Sequence, residues 1–422
     1  MISRQDGAAP PTAYCPTGLD NVHKKQAMKL ASFFWMWGDE MDLINKYPRL
    51  TDLATPAARR IPKFVFAYLE SGTGQDHAKD NNRAYLDGIE LTPQFMRGRV
   101  NPDISTELLG ISYNAPFGVA PIGLSSLIWP GAESILGAAA RAHGFPYIIS
   151  TVAGESLEMV TQSAGEMAWF QLYAPKDREI MKDLLRRARE HGYQNLVVTA
   201  DVPAPSRREQ MRIAGAPLGS RGNSSFTPRV IWQSMLRPEW AVRTLLNGGA
   251  RFRNMEPYAK QHGAGQITKF IGEQLNGSLD WDYLAEIRKS WDGNLFLKGI
   301  LHGQDAARAV NLGINGIIVS NHGGRQLDAA PAPLAKLSAI RAAVGPDVPL
   351  VVDSGIRSGL DVVRAISLGA DFVLLGRGFM YAVAALGEKG GHHAATILLQ
   401  EVRDVMAQLG LKTVDEVKQL NR

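Results

Sequence analysis

A short glycine-containing loop carries two residues that could act together on an acidic substrate. His322 and Arg325 stand three positions apart in the segment Ser320–Gln326. A histidine can accept a proton near neutral pH, and an arginine can bind a carboxylate through two parallel hydrogen bonds. Asp201 could accept a hydrogen bond from the other ring nitrogen of the histidine and favour its charged form, while Arg208 could complete the grip on a carboxylate. These residues indicate proton transfer on a small carboxylic acid. The alternative is that a lone histidine on a turn has only a structural role.

These side chains follow short apolar runs that recur from about residue 115. Each run has four to eight residues and is continuous in Val, Ile, Leu or Phe, which indicates a strand buried on both faces of a parallel sheet. Helical patterns that often end in glycine separate the runs. Eight such units predict a (β/α)8 TIM barrel, and a doubly wound open sheet is disfavoured because no Gly-x-Gly-x-x-Gly follows the first run. The predicted strands are Phe117–Pro121, Tyr147–Thr151, Ala168–Tyr173, Asn195–Asp201, Leu295–Gly299, Gly316–Asn321, Pro349–Gly355 and Phe372–Arg377.

Polar or charged residues end seven consecutive predicted strands. Such groups are costly to bury unless they bind something, and the active sites of TIM barrels lie at these C-terminal strand ends. The last two strands end in Gly-x-Arg and Gly-Arg, where glycine admits the close approach of a ligand and arginine binds phosphate. A phosphorylated ligand is expected there, although either arginine alone would more often be a surface or ion-pair residue. The strand-end residues are Ser150, Gln171, Tyr173, Thr199, Asp201, Lys298, Ser320, His322, Arg325, Asp353, Gly355, Arg357, Gly376 and Arg377.

Length and composition set the outer bounds of the interpretation. The chain has 422 residues, of which 45% are hydrophobic and 21% charged, as in soluble globular proteins. The single cysteine, Cys15, excludes an intramolecular disulfide and a cysteine-cluster metal site and fits a reducing compartment such as the cytoplasm. No metal is predicted, and no run reaches the roughly 18 apolar residues of a membrane span. We expect an N-terminal extension at 1–47, a barrel domain at 48–420 and, after the fourth strand, a long insertion at about 204–280.

The heptapeptide Ser320-Asn-His-Gly-Gly-Arg-Gln326 closely resembles the signature of the FMN-dependent 2-hydroxy-acid oxidases and dehydrogenases. This family includes glycolate oxidase, lactate oxidase, flavocytochrome b2, mandelate dehydrogenase and the bacterial quinone-linked L-lactate dehydrogenases, and the chain looks most similar to the last two. The resemblance runs from about Leu50 to about Asp415 and implies a TIM barrel that binds FMN. Further segments that carry it are Lys63–Gly72, Ala120–Gly123, Phe170–Tyr173, Thr199–Asp201, Leu297–Gly299, Asp353–Arg357 and Gly376–Arg377.

The resemblance implies a catalytic group of four residues. His322 would be the active-site base, with Asp201 supporting its imidazolium form. Tyr173 would hydrogen-bond the substrate hydroxyl, and Lys298 would sit beside the flavin N1–O2 edge, where a positive charge stabilises reduced flavin. His322 would remove either the Cα proton, in a carbanion route, or the hydroxyl proton, with hydride transfer to the flavin. The sequence leaves these two routes open.

Four other residues would surround the substrate. The resemblance implies that Arg208 and Arg325 hold its carboxylate with help from Tyr68, Arg208 standing at the family's spacing of seven residues after Asp201. Val152 occupies a position where glycolate oxidases carry a bulky tryptophan, so that room remains for a methyl or larger group. L-lactate is therefore the first choice of substrate and an aromatic acid such as mandelate the second, unless another loop refills the space.

The FMN site implied by the resemblance draws on most strand ends. The isoalloxazine ring would contact the second to fourth strands and the loop after the first, and the ribityl chain would contact the sixth. The phosphate would bind to the last two strands. The residues assigned to FMN are Pro121, Ile122, Gly123, Ser150, Gln171, Thr199, Lys298, Ser320, Asp353, Gly355, Arg357, Gly376 and Arg377.

Positive charge is concentrated in the insertion. Residues 204–260 contain ten Arg or Lys and three Glu, a net of +7, while the whole chain carries +5, so the remainder carries −2. Tryptophan and aliphatic residues are interleaved with these charges, and 228–254 resembles the insertion of membrane-associated mandelate and lactate dehydrogenases, which indicates contact with anionic lipid. We expect peripheral attachment to the inner face of the cytoplasmic membrane and a quinone as electron acceptor, with a basic lid or a subunit contact as alternatives. No nucleic-acid partner is expected, because no nucleic-acid-binding motif accompanies the charges.

Other functions would use the same residues differently. A soluble oxidase that reduces oxygen to hydrogen peroxide shares every catalytic residue. An FMN-barrel isomerase of a phosphorylated substrate would explain the phosphate arginines but leaves His322, Arg325, Arg208 and Asp201 without a common purpose. A non-catalytic flavoprotein gives no reason for a base, a carboxylate clamp and a cation in one set. The family resemblance further implies a homotetramer.

Overall fold

We describe the protein from a computed structural model, whose described residues are 42–216, 227–259, 267–275, 277 and 279–420. Residues Arg49–Arg422 form one unit and Met1–Pro48 another. The predicted extension at 1–47 lies outside the described residues except for its last six positions, 42–47.

The unit Arg49–Arg422 is built around a closed barrel of eight parallel strands in chain order, in which the last strand pairs with the first. The strands are β1 Phe117–Val119, β2 Tyr147–Ser150, β3 Ala168–Leu172, β4 Asn195–Thr199, β5 Asn294–Ile300, β6 Gly316–Val319, β7 Leu350–Val352 and β8 Phe372–Leu375. This confirms the predicted (β/α)8 TIM barrel. Every residue of β1–β4 and β6–β8 is buried, because one face of each strand fills the barrel while the other packs beneath helices.

Helices connect successive strands and cover the barrel. Several begin at a residue whose side chain accepts a backbone N–H of the first turn, as at Ser156, Asp177 and Ser358, which satisfies donors that a helix leaves unpaired. Two end at a glycine in the left-handed conformation, Gly144 and Gly410. The α-helices of the described part of this unit are Ala54–Arg60, Lys63–Glu70, His77–Asp87, Ser125–Ile128, Ala132–His143, Leu157–Ala164, Arg178–Glu190, Glu209–Ile213, Pro228–Met235, Pro238–Leu246, Ile267–Leu275, Trp281–Ser290, Gly303–Asn311, Leu337–Val344, Gly359–Ser367, Arg377–Leu386, Gly390–Leu409 and Val414–Lys418.

Aromatic side chains fill the barrel near the N-terminal ends of its strands. An antiparallel hairpin, Thr106–Leu108 and Ile111–Tyr113, precedes β1 and places Tyr113 in the barrel core. The Tyr113 ring packs edge-on against Phe372 with 5.6 Å between centroids, and its hydroxyl accepts a hydrogen bond from Trp169 Nε1 at 3.2 Å. This packing closes one end of the barrel, so the site has to form at the opposite, C-terminal strand ends.

The insertion after β4 is anchored to the barrel by buried side chains. Trp240, whose exposed fraction is 5%, donates from Nε1 to the carbonyl of Leu127 at 3.0 Å. Asn254 is fully buried, where its side chain accepts from the Leu157 N–H at 2.8 Å and donates to the Ser150 carbonyl at 3.2 Å. The insertion is therefore packed into the unit, and one of its bonds reaches the C-terminal end of β2.

Candidate active site

The C-terminal strand ends line one pocket that gathers most of the predicted site residues. The predicted residues in the lining are Tyr68, Pro121, Ile122, Gly123, Val152, Tyr173, Thr199, Arg208, Lys298, His322, Arg325, Asp353, Gly355, Arg357, Gly376 and Arg377. The remaining four, Ser150, Gln171, Asp201 and Ser320, lie behind this wall and are joined to it by hydrogen bonds. The fold thus brings together residues that are spread over 310 positions of the sequence, from 68 to 377.

His322 stands on the loop that follows β6. Its Nδ1 lies 2.8 Å from Asp201 Oδ1, and its Nε2 lies 3.3 Å from the hydroxyl oxygen of Tyr173. The backbone N–H of His322 donates to Ser320 Oγ at 3.0 Å. The backbone φ of 58° is left-handed, a conformation that is uncommon for residues other than glycine and that clusters at functional sites. The carboxylate orients the ring, and Nε2 is the nitrogen left for proton transfer.

Lys298 is buried on β5 between two carboxylates. Its Nζ lies 3.1 Å from Asp353 Oδ2 and 3.9 Å from Asp201 Oδ2, and it donates to Ser320 Oγ at 2.8 Å. Burial alone would lower the pKa of Lys298, but the charges of Asp353 and Asp201 outweigh it and raise that pKa. Burial would raise the pKa of Asp201, but the neighbouring His322 and Lys298 lower it. The cluster therefore keeps an ammonium group and an ionised carboxylate next to His322.

Gly299, next to Lys298 on β5, allows Asp201 to approach this cluster. Its φ is 100°, and a Cβ added there would lie 2.4 Å from Asp201 Cβ and 2.5 Å from Asp201 Cγ. Any side chain at position 299 would therefore push Asp201 away from His322.

We expect Gly299→Ala to lower kcat/KM roughly tenfold or more, because small displacements of catalytic groups have large effects on rate. Gly369 is a matched control, since its φ is 101° and nothing lies within 4 Å of an added Cβ. Gly369→Ala should reduce the free energy of unfolding by about 1–2 kcal/mol through backbone strain alone and leave kcat/KM unchanged. Thermal unfolding and steady-state kinetics measure both effects. Equal losses of activity in the two variants would mean that contact with Asp201 is not what requires glycine at position 299.

Three arginines line the pocket, of which Arg377 is buried and Arg208 and Arg325 are partly buried. Burial lowers the pKa of Arg325 to about 9, assisted by the charge of Arg208, and burial also lowers the pKa of Arg208. Burial and the charge of Arg325 lower the pKa of Arg377 to about 9. The Nη1 atom of Arg208 is buried and has no hydrogen-bond partner among the described residues. Bound anions would satisfy this donor and offset the repulsion between the cations.

Tyr68 lies between the arginines and the loop after β1. The guanidinium groups of Arg208 and Arg325 lie 5.4 and 5.7 Å from the centroid of its ring. Its hydroxyl donates to the carbonyl of Gly123 at 2.6 Å. This bond fixes the ring against both cations, while direct help from the hydroxyl to a substrate carboxylate stays a prediction.

The loops after β7 and β8 carry the residues predicted to bind phosphate. Gly355 has a φ of 92°, and the backbone N–H of Arg357 donates to Asp361 Oδ2 at 2.8 Å, which folds the first loop back onto its following helix. Gly376 directly precedes the helix Arg377–Leu386. The free N–H groups at the start of a helix favour an anion, so this helix supports the predicted phosphate site.

The side chain of Arg377 is engaged more fully than the sequence indicates. Its guanidinium donates to the backbone carbonyls of Leu69 at 3.2 Å, Gly323 at 3.0 Å and Ser71 at 3.1 Å. These bonds join the end of β8 to the loop after β6 and to the end of the helix Lys63–Glu70. Arg377 therefore contributes charge and cross-links three segments, and its direct contact with phosphate stays a prediction.

A chain of buried polar groups runs behind β2, β3 and β4. Ser150 Oγ donates to Gln171 Oε1 at 2.6 Å, and Gln171 Nε2 donates to Thr199 Oγ1 at 2.7 Å. Thr199 lines the pocket beside Lys298. Hydroxyl and amide groups in such a chain can donate to or accept from the polar edge of a planar ring.

Sequence reasoning left unassigned eight of the residues that line the pocket, namely Leu69, Ala120, Ser206, Gly323, Gln326, Ser354, Ile356 and Leu374. Most of them neighbour assigned residues in the same segments. Ser354 carried a recognisable signal, because it stands between two assigned residues, and its hydroxyl donates to Asp353 Oδ1 at 2.8 Å and accepts from the Gly323 N–H at 3.0 Å. Ser206 had none, since it lies in the insertion, where no periodic pattern marks inward-facing positions.

Comparison with known proteins agrees with this geometry. The model of the family described as FMN-dependent dehydrogenase matches residues 57–421. The chain belongs to this family. It is similar to the L-lactate dehydrogenase of Pseudomonas entomophila, 38% identical over 369 residues that cover 87% of this chain and 96% of that protein. It is also similar to the L-lactate dehydrogenase of Vibrio cholerae, 37% identical over 380 residues that cover 87% of this chain and 96% of that protein. Among solved structures, the monotopic membrane protein (S)-mandelate dehydrogenase superposes with a TM-score of 0.81 at 31% identity, covering 87% of this chain and 97% of that one.

As a member of the FMN-dependent dehydrogenase family, the protein is an FMN-dependent oxidoreductase of 2-hydroxy acids. The pocket fits this cofactor. The hydrogen-bonded side chains of Ser150, Gln171 and Thr199, together with Lys298, offer donors for the edge of a flavin ring. Arg357 and Arg377 place positive charge at the other strand ends, where the family's phosphate group is expected.

The insertion of this family member exposes an unusual number of apolar side chains. Eight of the thirteen large hydrophobic residues that are exposed in the described part of the chain lie in it, namely Ile213, Ile231, Trp232, Met235, Leu236, Val242, Leu245 and Leu246. Contiguous exposed apolar residues mark an interaction surface. No helix among the described residues is long and apolar enough to cross a membrane. The basic residues Arg221 and Lys260 lie outside the described residues.

Proposed function

We propose that this member of the FMN-dependent dehydrogenase family oxidises an L-2-hydroxy acid to the 2-keto acid and passes the electrons to a quinone-type acceptor. L-lactate is the first choice of substrate and a mandelate-like acid the second. The observation that carries the proposal is the position of His322, held between Asp201 and Tyr173 in a pocket that also contains Arg208 and Arg325. A base and a carboxylate clamp in one pocket are the two features that a 2-hydroxy acid requires.

Arg208 and Arg325 bind the substrate carboxylate. Both are partly buried and lie beside the Tyr68 ring, and the unpaired Nη1 of Arg208 gains a partner when the carboxylate binds. Two forks on one carboxylate fix its orientation as well as its position. The clamp thereby presents the hydroxyl-bearing carbon to the base and to the cofactor.

His322 receives the proton on Nε2, either from Cα or from the hydroxyl group. Asp201, bonded to Nδ1 at 2.8 Å, stabilises the positive charge that the ring then carries. The Tyr173 hydroxyl, 3.3 Å from Nε2, is placed to hydrogen-bond the substrate hydroxyl. When bound, FMN accepts the two electrons of the oxidation. Lys298 supplies a fixed positive charge to the same pocket, which favours the arrival of negative charge.

The size of the substrate group is set in part by Val152. A Cβ added at Gly123 would lie 2.7 Å from Val152 Cγ2, so the valine side chain already fills the space next to the loop after β1. A valine at this position leaves room for a methyl or larger substrate group, where a tryptophan would not. The two relatives quoted above are L-lactate dehydrogenases with 38% and 37% identity, against 31% for the mandelate enzyme, which favours lactate.

The exposed surface of the insertion supports a membrane-bound acceptor. Six of its exposed apolar residues lie on the helices Pro228–Met235 and Pro238–Leu246, which also carry Arg229 and Arg243, and Leu236 and Arg237 lie between these helices. Apolar residues flanked by arginines suit the headgroup region of an anionic bilayer, where a quinone is dissolved. A soluble oxidase that reduces oxygen to hydrogen peroxide is the second candidate, because it uses the same pocket.

The test is the visible spectrum of the purified flavoprotein under anaerobic conditions, before and after L-lactate is added and again after air is admitted. We expect bleaching by L-lactate, slow recovery in air and fast recovery with a quinone analogue. Rapid recovery with stoichiometric peroxide would replace the dehydrogenase with the oxidase. Bleaching by mandelate alone would change the substrate, and a flavoprotein that no 2-hydroxy acid bleaches would overturn the proposal.

We expect the triple variant Trp232→Gln, Leu245→Gln, Leu246→Gln to lose its binding to vesicles of anionic lipid. These side chains are 61%, 78% and 81% exposed, so their replacement should leave the pocket and kcat/KM with a soluble acceptor unchanged. A vesicle sedimentation assay measures the loss. The control is Phe95→Gln with Met96→Gln, two exposed apolar residues outside the insertion. Equal binding of all three proteins would remove the insertion surface from this role.

The proposed homotetramer is tested separately by sedimentation equilibrium.

A further inference from the structure

The helix His77–Asp87 packs against the active-site loops through a buried asparagine. Asn82 has an exposed fraction of 2%. Its Nδ2 donates to Asn321 Oδ1 at 2.9 Å, and its Oδ1 accepts from Asn321 Nδ2 at 2.7 Å. The two amides thus form a reciprocal pair, in which each satisfies a donor and an acceptor of the other.

Asn321 is the residue directly before His322, and its side chain shapes the loop. Its Oδ1 also accepts from the Gly324 N–H at 3.1 Å, and its Nδ2 also donates to the Pro331 carbonyl at 3.1 Å. Between these anchors, His322, Gly323 and Gly324 have φ values of 58°, 66° and 75°. Glycine adopts this conformation without steric cost, but His322 is strained in it, and such a residue persists only where surrounding contacts enforce it.

The helix offers Asn82 a fixed position, because both its start and its middle are tied down. Asp328 Oδ1 accepts from the Ala78 N–H at 3.0 Å at the first turn. Arg83, the neighbour of Asn82, donates from Nη1 to the Gly355 carbonyl at 2.7 Å and to Asp361 Oδ2 at 2.6 Å. The helix is therefore bonded to the loop after β7 as well as to the loop after β6.

We infer that Asn82 is a positioning residue for His322. It does not line the pocket, so it acts through Asn321 on the backbone of the base. This inference rests on the role proposed above for His322. Without the Asn82 amide, Oδ1 and Nδ2 of Asn321 each lose one of their two partners in a buried site, which is unfavourable. The strained loop can then relax, and Nε2 of the base moves relative to the clamped substrate.

The substrate clamp is held by different contacts and should be less affected. Arg325 Nη2 donates to the Leu69 carbonyl at 2.6 Å and the guanidinium faces the Tyr68 ring, independently of Asn82. Loss of Asn82 should therefore slow the chemical step more than it weakens substrate binding. A purely structural role would instead reduce the amount of folded flavoprotein and leave the rate constant of each remaining molecule unchanged.

The test compares Asn82→Leu with Asn81→Leu, the same substitution at an exposed neighbour on the same helix. Rapid mixing of the oxidised holoenzyme with L-lactate under anaerobic conditions gives the reduction rate constant per bound flavin and the substrate Kd. We expect Asn82→Leu to lower the rate constant about 10- to 100-fold, as small misplacements of a base do, with Kd changed less than about threefold. Asn81→Leu should behave as the wild type.

A rate constant for Asn82→Leu within about twofold of wild type, with only a lower Tm, would overturn the inference. If Asn82→Leu does not fold, Asn82→Asp takes its place, because it keeps the volume and the acceptor facing Asn321 Nδ2 while removing the donor. The same slower reduction is expected for it, and a wild-type rate constant would again overturn the inference. Failure of the wild type to be reduced by any 2-hydroxy acid would count against the proposed function instead.

Discussion

His322→Gln is expected to slow the reduction of the flavin by L-lactate by roughly 10²- to 10⁴-fold, the range that a positioned general base contributes. Glutamine keeps a polar side chain but has no basic nitrogen, so the proton that Nε2 would take has no acceptor. The FMN residues on the other strand ends are unchanged, and we therefore expect a yellow protein of normal flavin content. The rate is read from the loss of flavin absorbance after rapid anaerobic mixing with substrate.

The matched control is His191→Gln, the same change at an exposed histidine outside the pocket. The flavin of this variant should be reduced by L-lactate at the wild-type rate. Wild-type reduction in His322→Gln would remove this residue from the role of base. A colourless His322→Gln protein would show instead that the loop after β6 is needed for cofactor binding.

Arg325→Met is expected to lower kcat/KM by roughly 10²- to 10³-fold, since truncating one partner of a buried, hydrogen-bonded charge pair costs about 2–5 kcal/mol. The loss should fall mainly on KM, because the carboxylate clamp binds the ground state as well as the transition state. Steady-state kinetics over a range of L-lactate concentrations separate the two parameters.

Two further variants test whether the fork of Arg325 or only its charge is needed. Arg325→Lys keeps a cation but loses the paired donors, and its kcat/KM should fall between those of wild type and Arg325→Met. Arg341→Met removes an arginine outside the pocket lining, which pairs with Asp371 at 2.5 Å and also donates to nearby backbone carbonyls. It should leave kcat/KM unchanged, and a loss equal to that of Arg325→Met would indicate a general effect of arginine removal.

The barrel could be predicted because seven of its eight strands are buried at every position and the other, β5, at most positions. The continuous apolar runs indicated this burial directly, and the polar residue at the end of seven of the eight runs marked the rim where the pocket forms. The pairing of His322 with Asp201 followed from the same reasoning, since both stand at C-terminal strand ends. The predicted strands extend one to three residues past most of the structural ones, because the site residues lie in the loops and helix starts that directly follow the last ladder pairs.

Contacts between distant segments could not be predicted in this way. The pair Asn82 and Asn321 is separated by 239 positions, and a polar residue in a helical stretch reads as exposed unless its partner is known. The hydrogen bonds from Arg377 to backbone carbonyls could not be predicted either, because every residue type has a backbone carbonyl. The attachment of the insertion through Trp240 and Asn254 could not be predicted from the sequence either. The sequence shows only that apolar and basic residues alternate irregularly there.

The buried Asn254 limits which segments of this enzyme can be exchanged in a chimera. A chimera that exchanged 228–254 as a block would delete the amide that bonds Leu157 and Ser150, and so would disturb the wall of the flavin pocket. A junction placed between Leu246 and Phe252 would exchange the exposed helices while keeping that amide. Trp240 and its acceptor at Leu127 would have to be matched in the donor segment. The exposed helices of the insertion can thus be exchanged, whereas the segment that contains Asn254 has to be kept because it is bonded to the barrel.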